Sequence, residues 1–358
     1  MVAFFCSTPY QLLIAIQIKR AFFEHKVADV FVLNHFANSE ELVKNLDAQK
    51  IFRNVKSVNA LEFTKSISQK SRKRHFLKLY SYYNYKKIAK KYFQIINQQY
   101  DDVFFSYADV IIQLGLKQIL SVNRKVKVHL FEDGVGGYLN FGTNTSKKKK
   151  WFNRITGSFH LDKYADLYAF LPDLMYATNL PKVRIPQINQ DDLQFVEQLN
   201  AIFGYNHTEI NQKIILMEQP LDFKPNLNQI QFNAFNAIYA FNPVIKIHPR
   251  SSSILYSNFQ TLQKSDIPWE IICMNSDVEN KVLVSFYSTA IITNKFIFDK
   301  EPILIFLYNL DVFRQDHQIS DELRLFFEKF SQLYEDSKRI YFPKTIAEFQ
   351  IILESIDC

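Results

Sequence analysis

The sequence predicts an α/β fold built from two doubly wound parallel sheets, each covered by helices on both faces. Short apolar runs alternate with segments of helical periodicity along the chain, which favours parallel sheets. The chain has 358 residues, of which 47% are hydrophobic, so it can bury two cores of ordinary size. A polar stretch at 171–211 contains three prolines and divides the chain near residue 190.

The first predicted domain covers residues 1–190. Short apolar runs predict its strands, and apolar residues at helical spacing predict its helices. The predicted strands are 2–6, 30–33, 103–105 and 126–131, and the predicted helices are 10–23, 39–50, 75–98 and 110–120.

The second predicted domain covers residues 191–358 and repeats this alternation. Its predicted strands are 214–217, 244–247, 270–273, 282–286 and 303–307. Its predicted helices are 191–203, 227–241, 321–334 and 346–356, so helices close the chain. In doubly wound domains ligands bind at the carboxyl ends of the strands, and candidate residues are therefore sought there.

The composition argues against several classes of protein. Apolar runs are too short to span a membrane, and the start MVAFFCSTPYQ lacks the basic region and cleavage site of a secretory signal. The cysteines, Cys6, Cys273 and Cys358, are odd in number and far apart, which argues against a disulfide framework or a zinc site. We therefore expect a cytoplasmic protein with free thiols.

The stretch FEDGVGGY at 131–138 holds three of the seven glycines of the chain. It follows the predicted strand 126–131, so Glu132, Asp133 and Gly134 lie at a carboxyl end, where glycines can turn the chain away. A carboxylate at such a place can act as a general base toward an attacking hydroxyl. A solvated Asp-Gly turn is the alternative interpretation.

The stretch KIHPR at 246–250 ends another predicted strand. His248 emerges there between Lys246 and Arg250, and Pro249 fixes the backbone beyond it. Two cations beside a histidine suit a phosphate, although a single histidine is more often structural.

Three further stretches lie at or near strand ends. SFYSTA at 285–290 offers the hydroxyls of Ser288 and Thr289 and the amides of a following helical turn, which together form a common anion site. Helix capping explains the same pair of residues. Glu270 stands inside the apolar run of DIPWEII, where either a ribose diol or a buried ion pair would justify it. CSTPYQ closes the first strand with Thr8 and Gln11.

The formal net charge of +7 is concentrated in two segments that also carry aromatic residues. One covers 72–91, and the other is the lysine run at 147–150, which precedes Trp151. Such segments adsorb to anionic surfaces, either membrane headgroups or a polyanionic substrate. A solvated basic helix face explains the first segment equally well, and a solvated loop explains the second.

Taken in order, CSTPYQL, FEDGVGGY, KIHPR, IPWE and YSTA resemble glycosyltransferase family 52, the bacterial lipooligosaccharide and capsule sialyltransferases. The resemblance covers about residues 1–310 and implies a GT-B fold, in which two Rossmann-like domains face a cleft. It implies inverting transfer of sialic acid from CMP-sialic acid to a galactose-type hydroxyl of a lipooligosaccharide or capsular glycan, with no metal or other cofactor. The sequence agrees in containing no Asp-x-Asp, the usual metal-binding motif of the GT-A class.

The resemblance places the nucleotide-sugar donor in the second domain. His248 would donate to the departing CMP phosphate, Ser288 and Thr289 would bind that phosphate, and Glu270 would hold the cytidine end. The remaining donor-binding candidates are Lys246, Pro249 and Arg250.

The resemblance places the glycan acceptor in the first domain, and the candidates on that side are Thr8, Gln11, Glu132 and Gly134. Two residues are candidates for the general base. One is Asp133, in the turn where related families carry it, and the other is Asp222 in MEQPLDF, which matches an acidic residue before the His-Pro strand. Glu132 departs from the related pattern because other members carry a second Asp at that position.

Other functions stay open at this point. A GT-B enzyme could use a UDP-sugar with a glucosyl or N-acetylhexosaminyl group, and a non-catalytic protein could bind saccharides or polyanions. A nucleic-acid-binding protein is disfavoured because the basic segments lie outside the strand-end motifs and no known module is present. We expect reversible peripheral contact with the inner face of an anionic membrane, and homodimer formation is left open.

Overall fold

The computed structural model describes residues 1–36, 38–67, 74–139, 164–175, 178–206, 210–221, 225–248, 251, 253–262 and 267–356. The chain divides into two compact units. The first comprises residues 1–186 and 201–204, and the second comprises 187–200 and 205–358. The sequence placed the boundary at residue 190.

The first unit is a parallel sheet with helices. Its strands are β1 (Val2–Cys6), β2 (Ala28–Leu33), β3 (Asn54–Val58), β4 (Asp102–Phe105), β5 (Lys127–Phe131), β6 (Leu167–Ala169) and β7 (Lys182–Arg184). They lie in the order β3-β2-β1-β4-β5-β6-β7, and neighbouring strands run parallel. The helices are α1 (Pro9–Phe23), α2 (Ser39–Ala48), α3 (Ala60–Ile67), α4 (Arg74–Tyr83), α5 (Tyr85–Ile88), α6 (Val110–Val122) and α7 (Val135–Leu139).

The second unit repeats this winding. After α8 (Leu193–Phe203), its strands are β8 (Ile214–Met217), β9 (Val244–Lys246), β10 (Gln260–Thr261), β11 (Val282–Ser285), β12 (Ile303–Phe306) and β13 (Ile340–Tyr341). Their order is β10-β9-β8-β11-β12-β13, again parallel. The other helices are α9 (Pro225–Asn236), α10 (Trp269–Met274), α11 (Thr293–Phe298), α12 (Asp311–Arg314), α13 (Asp321–Ser331) and α14 (Ile346–Ser355).

Both sheets have a topological switch point, where the direction of winding reverses. In the first unit it lies between β1 and β4, and in the second between β8 and β11. Doubly wound folds bind ligands in the crevice at the carboxyl ends of the strands beside such a point. Residues that directly follow β1, β4, β8 and β11 are therefore placed to contact ligands.

The start of α1 shows how CSTPYQ folds. Thr8 is the N-cap, and its Oγ1 accepts a hydrogen bond from the Gln11 N–H at 3.1 Å. Pro9 occupies the first helical position, where a missing N–H costs nothing. The next turns are apolar and buried, so α1 packs against the sheet directly after β1.

The predicted strand 270–273 is wrong, because these residues lie in α10. Every residue of α10 is buried, so the run is apolar throughout, and periodicity cannot separate a buried helix from a buried strand. Pro268, which is the N-cap of α10, was the available signal for a helix start.

The predicted continuous helix 75–98 is also wrong in its length. The segment contains α4 and α5 and then a π-helical turn at Ala89–Phe93, after which Gln94 adopts a left-handed conformation with φ of 58°. Left-handed residues commonly end helices.

Cys6 and Cys273 are buried and unpaired among the described residues, as the sequence predicts, and Cys358 lies outside them. Within the described ranges, no helix combines the length and the hydrophobicity needed to cross a membrane.

Candidate active site

Glu132 directly follows β5, and its side chain is completely buried. Its Oε1 accepts a hydrogen bond from the Tyr10 hydroxyl at 2.7 Å. Its Oε2 accepts one from the Tyr138 hydroxyl and one from the Phe170 N–H at 2.9 Å. The Glu132 backbone is held as well, because the Ser106 hydroxyl donates to its carbonyl oxygen at 3.1 Å. Through these hydrogen bonds, Glu132 connects the end of β5 to α1, to α7 and to the residues that follow β4 and β6.

The burial of Glu132 changes its acidity. Removal from water raises the pKa of its carboxyl to about 7, although the hydrogen bonds from Tyr138, Tyr10 and Phe170 act in the opposite direction. The two tyrosines were not identified from the sequence. Tyr10 lies within the quoted CSTPYQL, directly before Gln11, and Tyr138 is the last residue of the quoted FEDGVGGY.

Asp133 differs from its neighbour because it is exposed. The amide of Gln11 donates to its carboxylate, and Gln11 is itself oriented by the Ser7 N–H, which donates to the Gln11 Oε1 at 2.7 Å. Surrounding protein partly removes the Asp133 carboxyl from water and raises its pKa, while the Gln11 hydrogen bond acts in the opposite direction. The structure thus brings Asp133, which follows β5, together with Gln11, which lies in the first turn of the helix after β1.

Only part of the glycine pattern is needed for the turn. Gly134 has a φ of 67°, a conformation that favours glycine, and it directly precedes α7. Gly136 lies inside α7, and a Cβ added there would meet no described atom within 4 Å. Gly134 is therefore the glycine of this stretch whose left-handed backbone conformation favours glycine.

In the second unit, His248 lies two residues beyond the end of β9. Its backbone N–H donates to the Glu218 Oε2 at 2.7 Å, and the Ser251 hydroxyl donates to the Glu218 Oε1 at 2.6 Å. The Ser251 N–H donates to the His248 carbonyl at 2.9 Å. Glu218 itself directly follows β8 and is only 7% exposed. Glu218 lies within the quoted MEQPLDF, four residues before Asp222.

Ser288 and Thr289 follow β11, on the other side of the switch point. The Ser288 Oγ accepts a hydrogen bond from the Ala290 N–H at 3.3 Å and caps a short 3₁₀ helix at Thr289–Ile291. The Ser288 N–H is held by the Ser285 Oγ at 3.3 Å, and the Tyr287 N–H donates to the Gln219 Oε1 at 2.9 Å. Both hydroxyl residues are partly exposed. The structure therefore places the His248 and Ser288 turns on either side of the end of β8.

Glu270 lies in the first turn of α10 and is 7% exposed. Burial raises the pKa of its carboxyl, and the charge of Lys246 and a hydrogen bond with Thr293 partly oppose this shift. Lys246 is the last residue of β9 and is 9% exposed. The two residues that the sequence assigned to the donor are thus in electrostatic contact within the second unit.

Several predicted residues lie outside the described part of the chain, namely Asp222, Pro249, Arg250 and the lysines at 147–150. Among the described residues, no group of three His, Cys, Asp or Glu side chains could hold a metal ion. Metal independence stays a prediction.

Stability is expected to fall as the pH rises through the range in which Glu132 titrates. Between about pH 4.5 and pH 7 this carboxyl is ionised in the unfolded chain but protonated in the folded one, so folding binds a proton. This difference between the folded-state and unfolded-state pKa of Glu132 corresponds to a loss of unfolding free energy on the order of 3 kcal/mol as the pH rises across that range. Glu132→Gln removes this titration, so the variant should gain unfolding free energy relative to wild type between pH 5 and pH 8 in urea titrations.

A second buried group changes stability in the same direction and serves as an internal reference. Burial lowers the pKa of His129, but its hydrogen bonds with Asp102 and Asp166 and their charges outweigh burial, so the net pKa is raised. The contribution of His129 to stability is therefore also lost as the pH rises through its folded-state pKa. That loss is common to wild type and Glu132→Gln and cancels in their difference. Parallel pH curves for the two proteins would contradict the expected role of Glu132.

Comparison with known proteins identifies the family. The model of the family described as alpha-2,8-polysialyltransferase (POLYST) matches residues 3–305. No curated protein matches the chain in a sequence search.

Two solved structures resemble the whole chain. The glycotransferase of kitacinnamycin has a TM-score of 0.55 at 9% identity, covering 100% of this chain and 91% of its own. The alpha/beta-galactoside alpha-2,3-sialyltransferase of Photobacterium phosphoreum, a luminous marine bacterium, has a TM-score of 0.51 at 11% identity, covering 97% of this chain and 98% of its own. At such identities the likeness shows the fold, and it confirms the predicted GT-B fold.

The family match also confirms that the protein is a glycosyltransferase of a sialyltransferase family. The predicted resemblance to glycosyltransferase family 52 is confirmed only in that both are sialyltransferase families. The family that the match names is not family 52. Because the match spans residues 3–305, which is well over half of the chain, the chain belongs to the alpha-2,8-polysialyltransferase family.

Proposed function

We propose that the protein transfers sialic acid from CMP-sialic acid to a glycan hydroxyl, with inversion and without a metal. The observation that carries the proposal is that the segments holding His248 and Ser288 lie on either side of the end of β8, the strand that borders the switch point. A phosphate leaving group needs a proton or hydrogen-bond donor together with fixed dipoles, and these two segments supply both kinds of group.

On the donor side, His248 donates to the departing phosphate. Ser288 binds the same phosphate through its hydroxyl proton, since the Ser288 Oγ already accepts from Ala290 and keeps its own proton to donate. Thr289 adds a second hydroxyl. Glu270 holds the ribose diol of the cytidine, and Lys246, Pro249 and Arg250 complete the site, the last two on sequence evidence alone.

On the acceptor side, Asp133 is the general base. It is exposed at the end of β5, whereas both carboxylate oxygens of Glu132 are engaged in a buried network. A base must reach the hydroxyl that it deprotonates, so accessibility favours Asp133 over Glu132. Gln11 orients Asp133, Thr8 fixes the start of α1, and Gly134 lets the chain turn. Asp222 is the alternative base.

The family name and the sequence resemblance favour different acceptor hydroxyls. The family name favours a sialic acid hydroxyl as the acceptor of an α-2,8 linkage, whereas the sequence resemblance favours a galactose-type hydroxyl of a lipooligosaccharide or capsular glycan. Sialyl-terminated and galactose-terminated oligosaccharides distinguish the two.

The experiment is a release assay with CMP-sialic acid, in parallel with UDP-glucose and UDP-N-acetylglucosamine, each with both acceptors and with and without EDTA. CMP release that depends on acceptor and is insensitive to EDTA supports the proposal, and NMR of the product reports inversion. Release of UDP without CMP would assign the protein to the UDP-sugar transferases. Binding of a glycan without release of either nucleotide would favour a saccharide-binding protein.

Membrane contact is expected to be reversible and sensitive to salt. In the basic segment 72–91, Lys86, Lys87, Lys90 and Lys91 are exposed, and Tyr80 and Tyr83 are 56% and 67% exposed. Each lysine near an anionic surface contributes roughly 1 kcal/mol, screened over about 8 Å at physiological salt. Wild type should therefore sediment with anionic liposomes at low salt and release at high salt.

Replacing the lysines at 147–150 by Gln tests which segment is responsible. We expect this variant to sediment less than wild type, since the exposed lysines of the segment 72–91 remain, while transfer to a soluble acceptor continues. Equal sedimentation of variant and wild type would assign the contact to the segment 72–91, and no sedimentation of either would exclude membrane binding.

A further inference from the structure

The two residues that follow β8, Glu218 and Gln219, lie between the donor-side turns. In the sheet, β8 has β9 on one side and β11 on the other. The His248 turn follows β9 and the Ser288 turn follows β11. A residue at the end of β8 can therefore contact either turn without crossing another strand.

Glu218 contacts the His248 turn through both oxygens. One accepts from the His248 N–H at 2.7 Å, and the other accepts from the Ser251 hydroxyl at 2.6 Å. The Glu218 N–H also donates to the Lys246 carbonyl at 3.1 Å, which extends the β8–β9 ladder to the beginning of the turn. An ionised carboxylate only accepts hydrogen bonds, so it matches two donors at once.

Gln219 contacts the opposite turn. Its Oε1 accepts from the Tyr287 N–H at 2.9 Å and lies 3.4 Å from the Ser285 hydroxyl, whose oxygen accepts from the Ser288 N–H. The Gln219 backbone is fixed in turn by Gln231, which accepts from its N–H at 3.1 Å and donates to its carbonyl at 3.0 Å. Gln231 is completely buried, so this support is rigid.

We propose that Glu218 and Gln219 are positioning residues for the transfer reaction, Glu218 acting through His248 and Gln219 acting through the Ser288 turn. The inference rests on the proposed function, because it assumes that these two turns hold the departing nucleotide. Glu218 and Gln219 touch the backbone of the turns and set where the His248 ring and the Ser288 hydroxyl point. Displacing such groups by about 1 Å costs up to roughly a hundredfold in rate.

A double-mutant cycle between Glu218→Ala and His248→Ala tests the first half. Glu218→Ala should lower kcat roughly 10- to 100-fold, and the double variant should be no slower than His248→Ala alone, because the carboxylate acts through the histidine. Glu218→Gln should recover much of the loss, since its amide oxygen still accepts from the His248 N–H and its amide nitrogen can donate to the Ser251 hydroxyl.

Gln219→Met tests the second half because it keeps the length of the side chain and removes the acceptor of the Tyr287 N–H. We expect it to raise the KM for the donor roughly tenfold while kcat falls less, since the Ser288 turn binds phosphate in the ground state as well. Gln212→Met is the matched control. Gln212 hydrogen-bonds Gln260 at an exposed site beside β8 and should tolerate the same change with unaltered kinetics.

Amide hydrogen exchange provides a readout that does not depend on the donor. Exchange at His248 should rise in Glu218→Ala, and exchange at Tyr287 should rise in Gln219→Met, each at least tenfold, whichever nucleotide sugar the enzyme uses. Unchanged exchange in both variants would overturn the positioning role, as would additive losses in the cycle or a normal kcat for Glu218→Ala. A normal kcat for His248→Ala is a different failure, because it removes His248 from the mechanism and overturns the proposed function.

Discussion

Replacing His248 with alanine is expected to lower kcat by roughly a hundredfold or more. The Glu218 carboxylate, which directly follows β8, accepts a hydrogen bond from the His248 N–H and so holds the His248 backbone just beyond the end of β9. Without the ring, the charge that develops on the departing phosphate loses a hydrogen-bond donor at the moment when donation matters most. Steady-state kinetics with saturating CMP-sialic acid measure the effect.

His25→Ala is the matched control for this experiment. His25 is exposed in the turn after α1, far along the chain from the donor-side residues, and its loss should leave kcat unchanged. Retention of near-normal kcat by His248→Ala would remove His248 from the mechanism and overturn the proposed function.

The central strands could be predicted from the sequence because burial on both faces makes them continuous apolar runs. β1, β4, β8 and β11 are buried along their whole length, and the sequence placed each within one or two residues. The edge strands could not be found in this way. β3 has the sequence NVKSV, and only its last residue is buried. β7 has the sequence KVR, and its first and last residues are exposed. Neither strand therefore contains an apolar run that stands out from the flanking sequence.

The sequence predicted those candidate site residues that directly follow apolar strands. Asp133, His248 and Ser288 all follow predicted strands, and the structure places all three beyond the carboxyl ends of strands. Ser288 follows β11, which borders the switch point of the second unit. The sequence did not predict that Glu132 is buried and Asp133 exposed. Adjacent residues at a turn point in different directions, and the direction depends on Tyr10 and Tyr138, which approach from α1 and α7.

The positioning role proposed for Glu218 and Gln219 could not be predicted from the sequence, for a different reason. Glu218 and Gln219 act through backbone N–H groups of the neighbouring turns, and such contacts depend on strand order rather than on any local pattern. In a parallel sheet, strands that are neighbours in space are separated by a whole helix in sequence. Knowledge that β8 lies between β9 and β11 is needed before the pair can be recognised.

Replacing Asp133 with asparagine is expected to lower kcat by roughly 10²- to 10⁴-fold while CMP affinity is retained. Asparagine keeps the shape of the side chain and loses the ability to take the acceptor proton. Because the pKa of Asp133 is raised, wild-type kcat should fall with decreasing pH somewhat above the usual range for an aspartate, since the base must be ionised to act. The residual activity of the variant should lack that acidic limb.

Asp222→Asn, measured under the same conditions, decides between the two candidate bases. The true base loses turnover and keeps CMP affinity, as calorimetry with CMP reports, whereas a residue that only shapes its loop changes both modestly. Asp47→Asn, an exposed change on α2, controls for removal of a negative charge from the first unit. If Asp133→Asn and Asp222→Asn both turn over normally, neither carboxylate is the base. Glu132 would then remain in the EDG turn, where its pKa of about 7 would suit a base only if Tyr10 and Tyr138 released it from its buried site.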